Sequence, residues 1–261
     1  MKDTNNPYAE AAAAFEVFDE AHLLRRLVDA GFTRAVVPAP APPAQLCAVR
    51  EALAYHSAHA DAVLAVLGLG TFALSRAGTP ALQDEFIKPV YAGEQACGFA
   101  LTEPEAGSDV AVIRLFARKD GDVYVLDGRK TFVSNATIAE WFTVFAQSDQ
   151  GPLALVVKKG DPGVRVVDDV PMSVTHPIGS VEFCAARVPT ARLIGSPGQG
   201  IHLALATLDM FRVSVAAAAC GMAARALDEA IGYASRRQQF GQRLADFQMI
   251  QAKLAECATE L

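Results

Sequence analysis

The sequence predicts an α+β fold in three segments: an N-terminal helical domain over residues 1–96, a central antiparallel β-barrel or sandwich over 97–195, and the beginning of a C-terminal helical bundle over 196–261. Three observations predict it. Apolar residues recur at helical spacing up to Tyr91, short runs rich in Val, Phe, Ile and Tyr follow one another after Cys97, and alanine-rich helix returns after Gly200.

From Ala21 the pattern is helical, with Leu23, Leu24, Leu27 and Val28 on one face, and Gly31 stops that helix. The stretch Val37-Pro-Ala-Pro-Ala-Pro-Pro43 is a connector, because proline lacks a backbone donor and restricts the residue before it. Helix resumes near Ala44, breaks at Gly78-Thr79-Pro80 and ends at Ala92-Gly93. Strands are expected at Gly98–Thr102, Ile113–Arg118, Val123–Leu126, Arg129–Val133, Phe142–Gln147, Leu153–Lys158, Val164–Asp168 and Val181–Ala185. Asp120-Gly121 and Asp127-Gly128 read as hairpin turns, since glycine accepts the positive φ of a tight turn. Glycines and a proline between Gly195 and Gly200 end the sheet region, and Ile201 to Ser235 carries small-residue faces suited to close helix packing. A last helix starts near Asp246. Its run from Gln248 to Leu261 has no glycine cap and no proline, so the chain is expected to stop in mid-bundle.

Composition narrows the function classes. With 52% apolar and 20% charged residues in 261, the chain can bury a core and is not of the disordered class. A net charge of −6 gives no general attraction to nucleic acid, although local basic residues can still meet a small phosphorylated ligand. Cys47, Cys97, Cys184, Cys220 and Cys257 are odd in number and widely spaced, which indicates neither a disulfide framework nor a zinc site. Met1 to Phe18 carries Asp3, Glu10 and Glu16 and lacks the basic start and apolar stretch of an export signal. The apolar run Ala62–Leu74 is shorter than the ~20 residues of a membrane span, so a cytoplasmic protein with no membrane partner is expected.

The segment Phe99-Ala-Leu-Thr-Glu-Pro-Glu-Ala-Gly-Ser-Asp109 leaves a strand and enters a loop rich in side-chain oxygens. By itself it is a polar strand-end loop, and most such loops are solvated turns. Its run L-T-E-P-E-A-G-S-D closely resembles the first signature of the acyl-CoA dehydrogenase family. A second match lies at Arg129-Lys-Thr-Phe-Val-Ser-Asn135 with Ala139-Glu-Trp-Phe142, and a third at Arg237-Gln-Gln-Phe-Gly241 with Leu244 and Phe247-Gln248. Three ordered motifs make the resemblance specific, and it covers roughly Glu20 to Leu261.

The resemblance implies FAD as cofactor and an acyl thioester, on coenzyme A or a carrier protein, as substrate. On the cofactor side it implies Phe99, Leu101 and Thr102 at the flavin edge, Ser134 facing the flavin, and Phe132 where the family often has tryptophan, with stacking preserved. Ser108 would meet the FAD pyrophosphate or the coenzyme. Asp209 and Arg212 are implied on the substrate side; their other reading is an i, i+3 ion pair. Arg237, Gln239 and Phe240 match residues that reach the FAD of a neighbouring subunit, which implies a dimer, a tetramer or a hetero-oligomer. An electron-transfer flavoprotein is the implied acceptor, with oxygen the alternative.

Family chemistry needs a base and a flavin on opposite sides of the Cα–Cβ bond. The resemblance puts that glutamate either in a loop beyond residue 261 or on the long helix, at the position of Phe211. Glu103, Glu229, Glu256 and Glu260 each read as ordinary structural carboxylates, so no catalytic residue is assigned. The alternative is a degenerate subunit that binds flavin or scaffolds a partner. Two other patterns read as accidental. Gly68-Leu-Gly-Thr-Phe-Ala73 fits a dinucleotide fingerprint without the strand that should precede it, and His56 with His59 reads as a surface pair lacking a third metal ligand. His176 and His202 read as loop and cap residues, with contact to a ligand the alternative for His202.

Overall fold

The computed structural model describes residues 5–16, 22–173 and 176–261. Helices α1 (Ala9–Ala13), α2 (Leu23–Asp29), α3 (Pro43–His56), α4 (Ala58–Ala77) and α5 (Pro80–Tyr91) come first. Strands β1 (Ala96–Ala100), β2 (Phe116–Asp120), β3 (Val123–Ser134), β4 (Ala139–Ala146), β5 (Leu153–Lys158), β6 (Val164–Val167), β7 (Ile178–Pro189) and β8 (Leu193–Ile194) follow. The 37-residue helix α6 (Gly200–Arg236), a short hairpin of β9 (Gln238–Gln239) and β10 (Gln242–Arg243), and α7 (Gln248–Glu260) complete it. Two expected regions, the helix start at Ala21 and the termini of Met1–Phe18, fall partly outside the described residues.

The chain divides into two compact units. The larger holds residues 19–43 and 62–212 and contains two four-stranded sheets, ordered β1-β4-β5-β8 and β2-β3-β7-β6. All pairings in them are antiparallel except β1 with β4, which is parallel, a departure from the wholly antiparallel expectation. The sheets share a core to which Leu126, Val181 and Phe183 contribute from one side and Phe142, Val144 and Leu155 from the other. Strand β4 is buried on both faces, which explains its almost unbroken apolar run. Phe142 and Val144 point to the sheet core, whereas the alternate residues meet helices: Trp141 packs edge-on against Phe86 of α5 at 5.4 Å, and Thr143 Oγ1 donates to the Gly70 carbonyl of α4 at 2.6 Å.

Asp120-Gly121 forms the expected β2–β3 hairpin, with Gly121 at φ 59°. Asp127-Gly128 does not turn the chain. It is an irregularity inside the twelve-residue β3, where Gly128 at φ 143° lets the strand pass Leu115, whose Cδ1 would lie 2.9 Å from a Cβ there. The fingerprint-like Gly68 and Gly70 lie inside α4. Their small size serves close packing, since a Cβ on Gly70 would lie 2.6 Å from Cys97 Sγ.

The smaller unit holds residues 1–18, 44–61 and 213–261. Its buried centre is a bidentate pair, Arg50 to Asp61 at 2.9 and 2.7 Å, with Arg50 also donating to Ser214 Oγ at 3.0 Å. Here α6 passes α3 so closely that a Cβ on Gly221 would collide with the Glu51 carbonyl oxygen. His56 and His59 differ from the expected surface pair. The helix breaks at Ser57 between them, and the His56 side chain is buried, with Nδ1 2.8 Å from Glu16.

By length and composition alone, α4 and α6 are apolar enough to cross a membrane. The α4 window is 72% buried as a core helix would be, and α6 carries Asp209, Arg212, Arg225, Asp228 and Glu229 along its length.

Candidate functional site

In the larger unit, the end of β1, the loop after it, the end of β3 and one face each of α4 and α6 enclose a cleft of about 410 Å³. Its walls bring together Phe99, Leu101, Thr102, Ser108, Phe132, Ser134 and Arg212, seven of the residues singled out from the sequence. Val66 and Leu69 of α4 and Leu208 of α6 complete an apolar side that sequence reading missed. In the sequence those three are indistinguishable from ordinary core positions of a helix.

The loop is held open by a network beneath it. Lys130 is fully buried in β3, and its Nζ donates to the Leu101 carbonyl at 2.8 Å and to Glu103 Oε1 at 2.7 Å. The Glu103 carboxylate also accepts the backbone N–H groups of Arg114 at 2.6 Å and Leu115 at 2.9 Å, so one side chain ties both ends of the loop. The next carbonyl, Thr102, accepts from Thr131 N–H at 2.9 Å. Between these anchors Glu103 and Ala106 exchange backbone hydrogen bonds around Pro104, and Asp109 accepts from Ala111 N–H, turning Gly107 and Ser108 outward.

Burial pushes the Lys130 ammonium down to about 8, against the upward pull of Glu103. Burial alone would raise the Glu103 carboxyl, but the hydrogen bonds from Lys130, Arg114 and Leu115 outweigh it and hold it below the ordinary carboxylate value. Both groups are therefore charged at neutral pH. Neither was assigned a site role from the sequence. The signal available was a lysine inside an expected strand, followed by the β-forming Thr131, Phe132 and Val133.

Phe132 is the exposed feature of the cleft. It sits at a register shift of β3, at φ 53°, with 63% of its surface open. Left-handed backbone at a bulky residue stores strain, and a bulge re-aims a side chain that regular alternation would place elsewhere. A large ring held open to solvent beside hydroxyls of Thr102, Ser108 and Ser134 suits a flat ligand with an apolar face and a polar edge.

Asp209 is exposed, and its Oδ1 lies 3.3 Å from Arg212 Nη2, so the i, i+3 pair forms while Arg212 also lines the cleft. Phe211, between them, is 2% exposed and points into the protein. Arg237, Gln239 and Phe240 belong to the smaller unit. There Phe240 and Gly241, at φ 54° and 79°, form the two-residue turn between β9 and β10, the geometry a tight hairpin requires. Phe240 stands at its tip, 94% exposed.

Residues 98–185 match the family model described as acyl-CoA dehydrogenase, middle domain, and residues 198–261 the one described as acyl-CoA dehydrogenase, C-terminal domain. Over 222 residues the chain is 37% identical to a probable acyl-CoA dehydrogenase, fadE25, of Mycobacterium leprae, covering 82% of this chain and 57% of that protein. It is 36% identical over 196 residues to the CarC subunit of the caffeyl-CoA reductase–Etf complex of Acetobacterium woodii, covering 70% and 50%. The chain thus spans about half the length of these curated relatives. Among solved structures, butyryl-CoA dehydrogenase from Megasphaera elsdenii superimposes with a TM-score of 0.87 at 27% identity, over 100% of this chain and 76% of that one. A glutaryl-coenzyme A dehydrogenase in complex with glutaryl-CoA gives 0.85 at 30%, over 97% and 68%.

Proposed function

Because this chain belongs to the acyl-CoA dehydrogenase family, we propose that its cleft holds the flavin of FAD and that the protein oxidises the Cα–Cβ bond of an acyl thioester, on coenzyme A or a carrier protein. The observation that carries this reading is Phe132, an open aromatic ring in strained backbone at the mouth of a cleft edged by Thr102, Ser108 and Ser134. A bound flavin supplies the acceptor for the β-hydride that leaves as the α-proton is lost and the Cα=Cβ double bond forms.

The chain's own part is binding and orientation. Phe132 and Phe99 offer aromatic surface to the ring, while Leu101 and Thr102 supply polar groups fixed from below by Lys130 and Thr131. Ser134 completes that edge. Ser108 and Arg212, both lining the cleft, would take phosphate or thioester oxygens, with Asp209 steadying the guanidinium. Val66, Leu69 and Leu208 keep water from the acyl group. Among the described cleft-lining residues none is a carboxylate, and the α-proton is assigned to no residue of this chain.

As partners we infer an electron-transfer flavoprotein and further copies of the chain in the cytoplasm. The complex that CarC forms with Etf supports the first, and the Phe240 hairpin, with Arg237 and Gln239 beside it, supports the second. One observation favours a second reading, a flavin-binding subunit that scaffolds a partner without catalysis. Phe211, where the resemblance puts a glutamate in some members, is apolar and packed inward.

The test is the absorption spectrum of the purified protein, followed by anaerobic addition of a panel of acyl-CoA thioesters. Bleaching of bound flavin by one thioester supports oxidation and identifies the substrate class. Bound flavin that none of them bleaches favours the scaffold, and a protein that binds no flavin overturns the cofactor assignment.

A further inference from the structure

Phe211 lies on the α6 face that also presents Leu208 and Arg212 to the cleft. Gly68 lies between Val66 and Leu69, the two α4 residues of the opposite wall. The Phe211 ring stands directly on Gly68: a Cβ at that glycine would fall 2.5 Å from Cζ and 2.7 Å from Cε1. Phe72, one turn further along α4, meets the ring at right angles with centroids 6.4 Å apart, and Val36 closes the same notch, its Cβ 2.9 Å from the Gly68 Cβ position. With Phe211 at 2%, Phe72 at 8% and Val36 at 0% exposure, the ring fills the space between α4 and α6 behind the cleft's apolar wall.

We propose that Phe211, seated on Gly68, is the specificity-determining residue of this cleft: it ends the apolar side between α4 and α6 and thereby limits the length of the acyl group accepted. The inference rests on the acyl-thioester reading and adds the substrate class, a short-chain acyl group. The physical basis is occupancy. A ring in van der Waals contact with helix backbone cannot be displaced by one or two further methylenes without moving α4 or α6, because packed interiors have little free volume. On this proposal, removing the ring opens an apolar space that a longer chain would fill, against Phe72, Val36 and Gly68, the last next in sequence to Leu69 of the cleft wall.

The experiment measures acyl-CoA binding, by perturbation of the flavin spectrum, and anaerobic flavin reduction across a series of straight-chain thioesters. It compares the wild type with Phe211→Leu and Phe211→Ala. The wild type should prefer a short chain, and both variants should move the optimum to longer chains, Phe211→Ala further. The long-to-short preference should rise by tenfold or more, the scale of discrimination a single methylene brings in an apolar pocket. If Phe211→Ala does not fold, Phe211→Leu decides alone. A wild type that binds and oxidises thioesters, with variants whose chain-length profile superimposes on it, overturns this inference and leaves the functional reading standing. A flavin-loaded wild type that neither binds nor is reduced by any thioester overturns the functional reading, and this inference falls with it.

Discussion

Lys130 Nζ and Glu103 Oε1 lie 2.7 Å apart with side chains 0% and 3% exposed, and each also holds backbone of the cleft loop. An ion pair so placed gains little net stability over apolar packing, but breaking it strands a buried charge. Lys130→Met should therefore cost roughly 3–5 kcal/mol in urea unfolding. It should also weaken flavin retention, because the Leu101 carbonyl loses its donor. A loss under about 1 kcal/mol would mean that the loop is held by other contacts.

The same pair sets an acid limb. Glu103 has a folded pKa below its ordinary 4.5, so its contribution is fully present above that value and is lost as the pH falls through the lower folded one. Unfolding of wild type and Glu103→Gln should be compared from pH 7 downward. The gap between them should be constant to about pH 5 and then close. A gap that does not change with pH would show that Glu103 carries no extra charge stabilisation.

Gly70 and Gly107 should differ sharply in their tolerance of alanine. A Cβ at Gly70 meets Cys97 Sγ at 2.6 Å and the Gly98 carbonyl at 3.0 Å, whereas one at Gly107 meets nothing within 4 Å. Gly70→Ala should destabilise by about 1–3 kcal/mol, as overpacking does, and Gly107→Ala by less than about 0.5. Thermal melts of the two proteins would separate them.

Phe132→Ala should leave global stability within about 0.5 kcal/mol, because the ring is mostly open. Flavin affinity should fall by about two- to tenfold, the equivalent of roughly 0.5–1.5 kcal/mol of aromatic stacking. Fluorescence titration of the apoprotein with FAD reads this directly, and unchanged affinity would remove Phe132 from the flavin site.

Much of this was legible in the sequence because local chemistry wrote it. The proline run from Val37 to Pro43 marks the gap before α3, and Asp120-Gly121 marks the β2–β3 turn. Phe99, Leu101, Thr102, Ser108, Phe132 and Ser134 stand in the family-like motifs and Arg212 is implied by the same resemblance, and the structure gathers them in one cleft. What stayed hidden depends on partners distant in the chain. Asp127-Gly128 has the composition of a hairpin, yet the β7 ladder on one side and Leu115 on the other keep β3 running through it. Strand periodicity reports which face is buried and not which way a neighbour runs, so the parallel β1–β4 pair was invisible. Lys130 stands in an expected strand with no role of its own, because no local signal identifies its partner, an acid twenty-seven residues upstream.

The parallel register of β1 on β4 sets an order of assembly. Ala96 pairs with Ala139 and Ala100 with Val144, so the ladder closes a loop of roughly forty residues, at an entropic cost that no local turn reduces. A chain emerging from the ribosome exposes Phe99 and the free edge of β1 until β4 has followed it out. The segment that later lines the cleft therefore waits for a strand that has yet to be made, and a chaperone that shields short apolar stretches has an opportunity there.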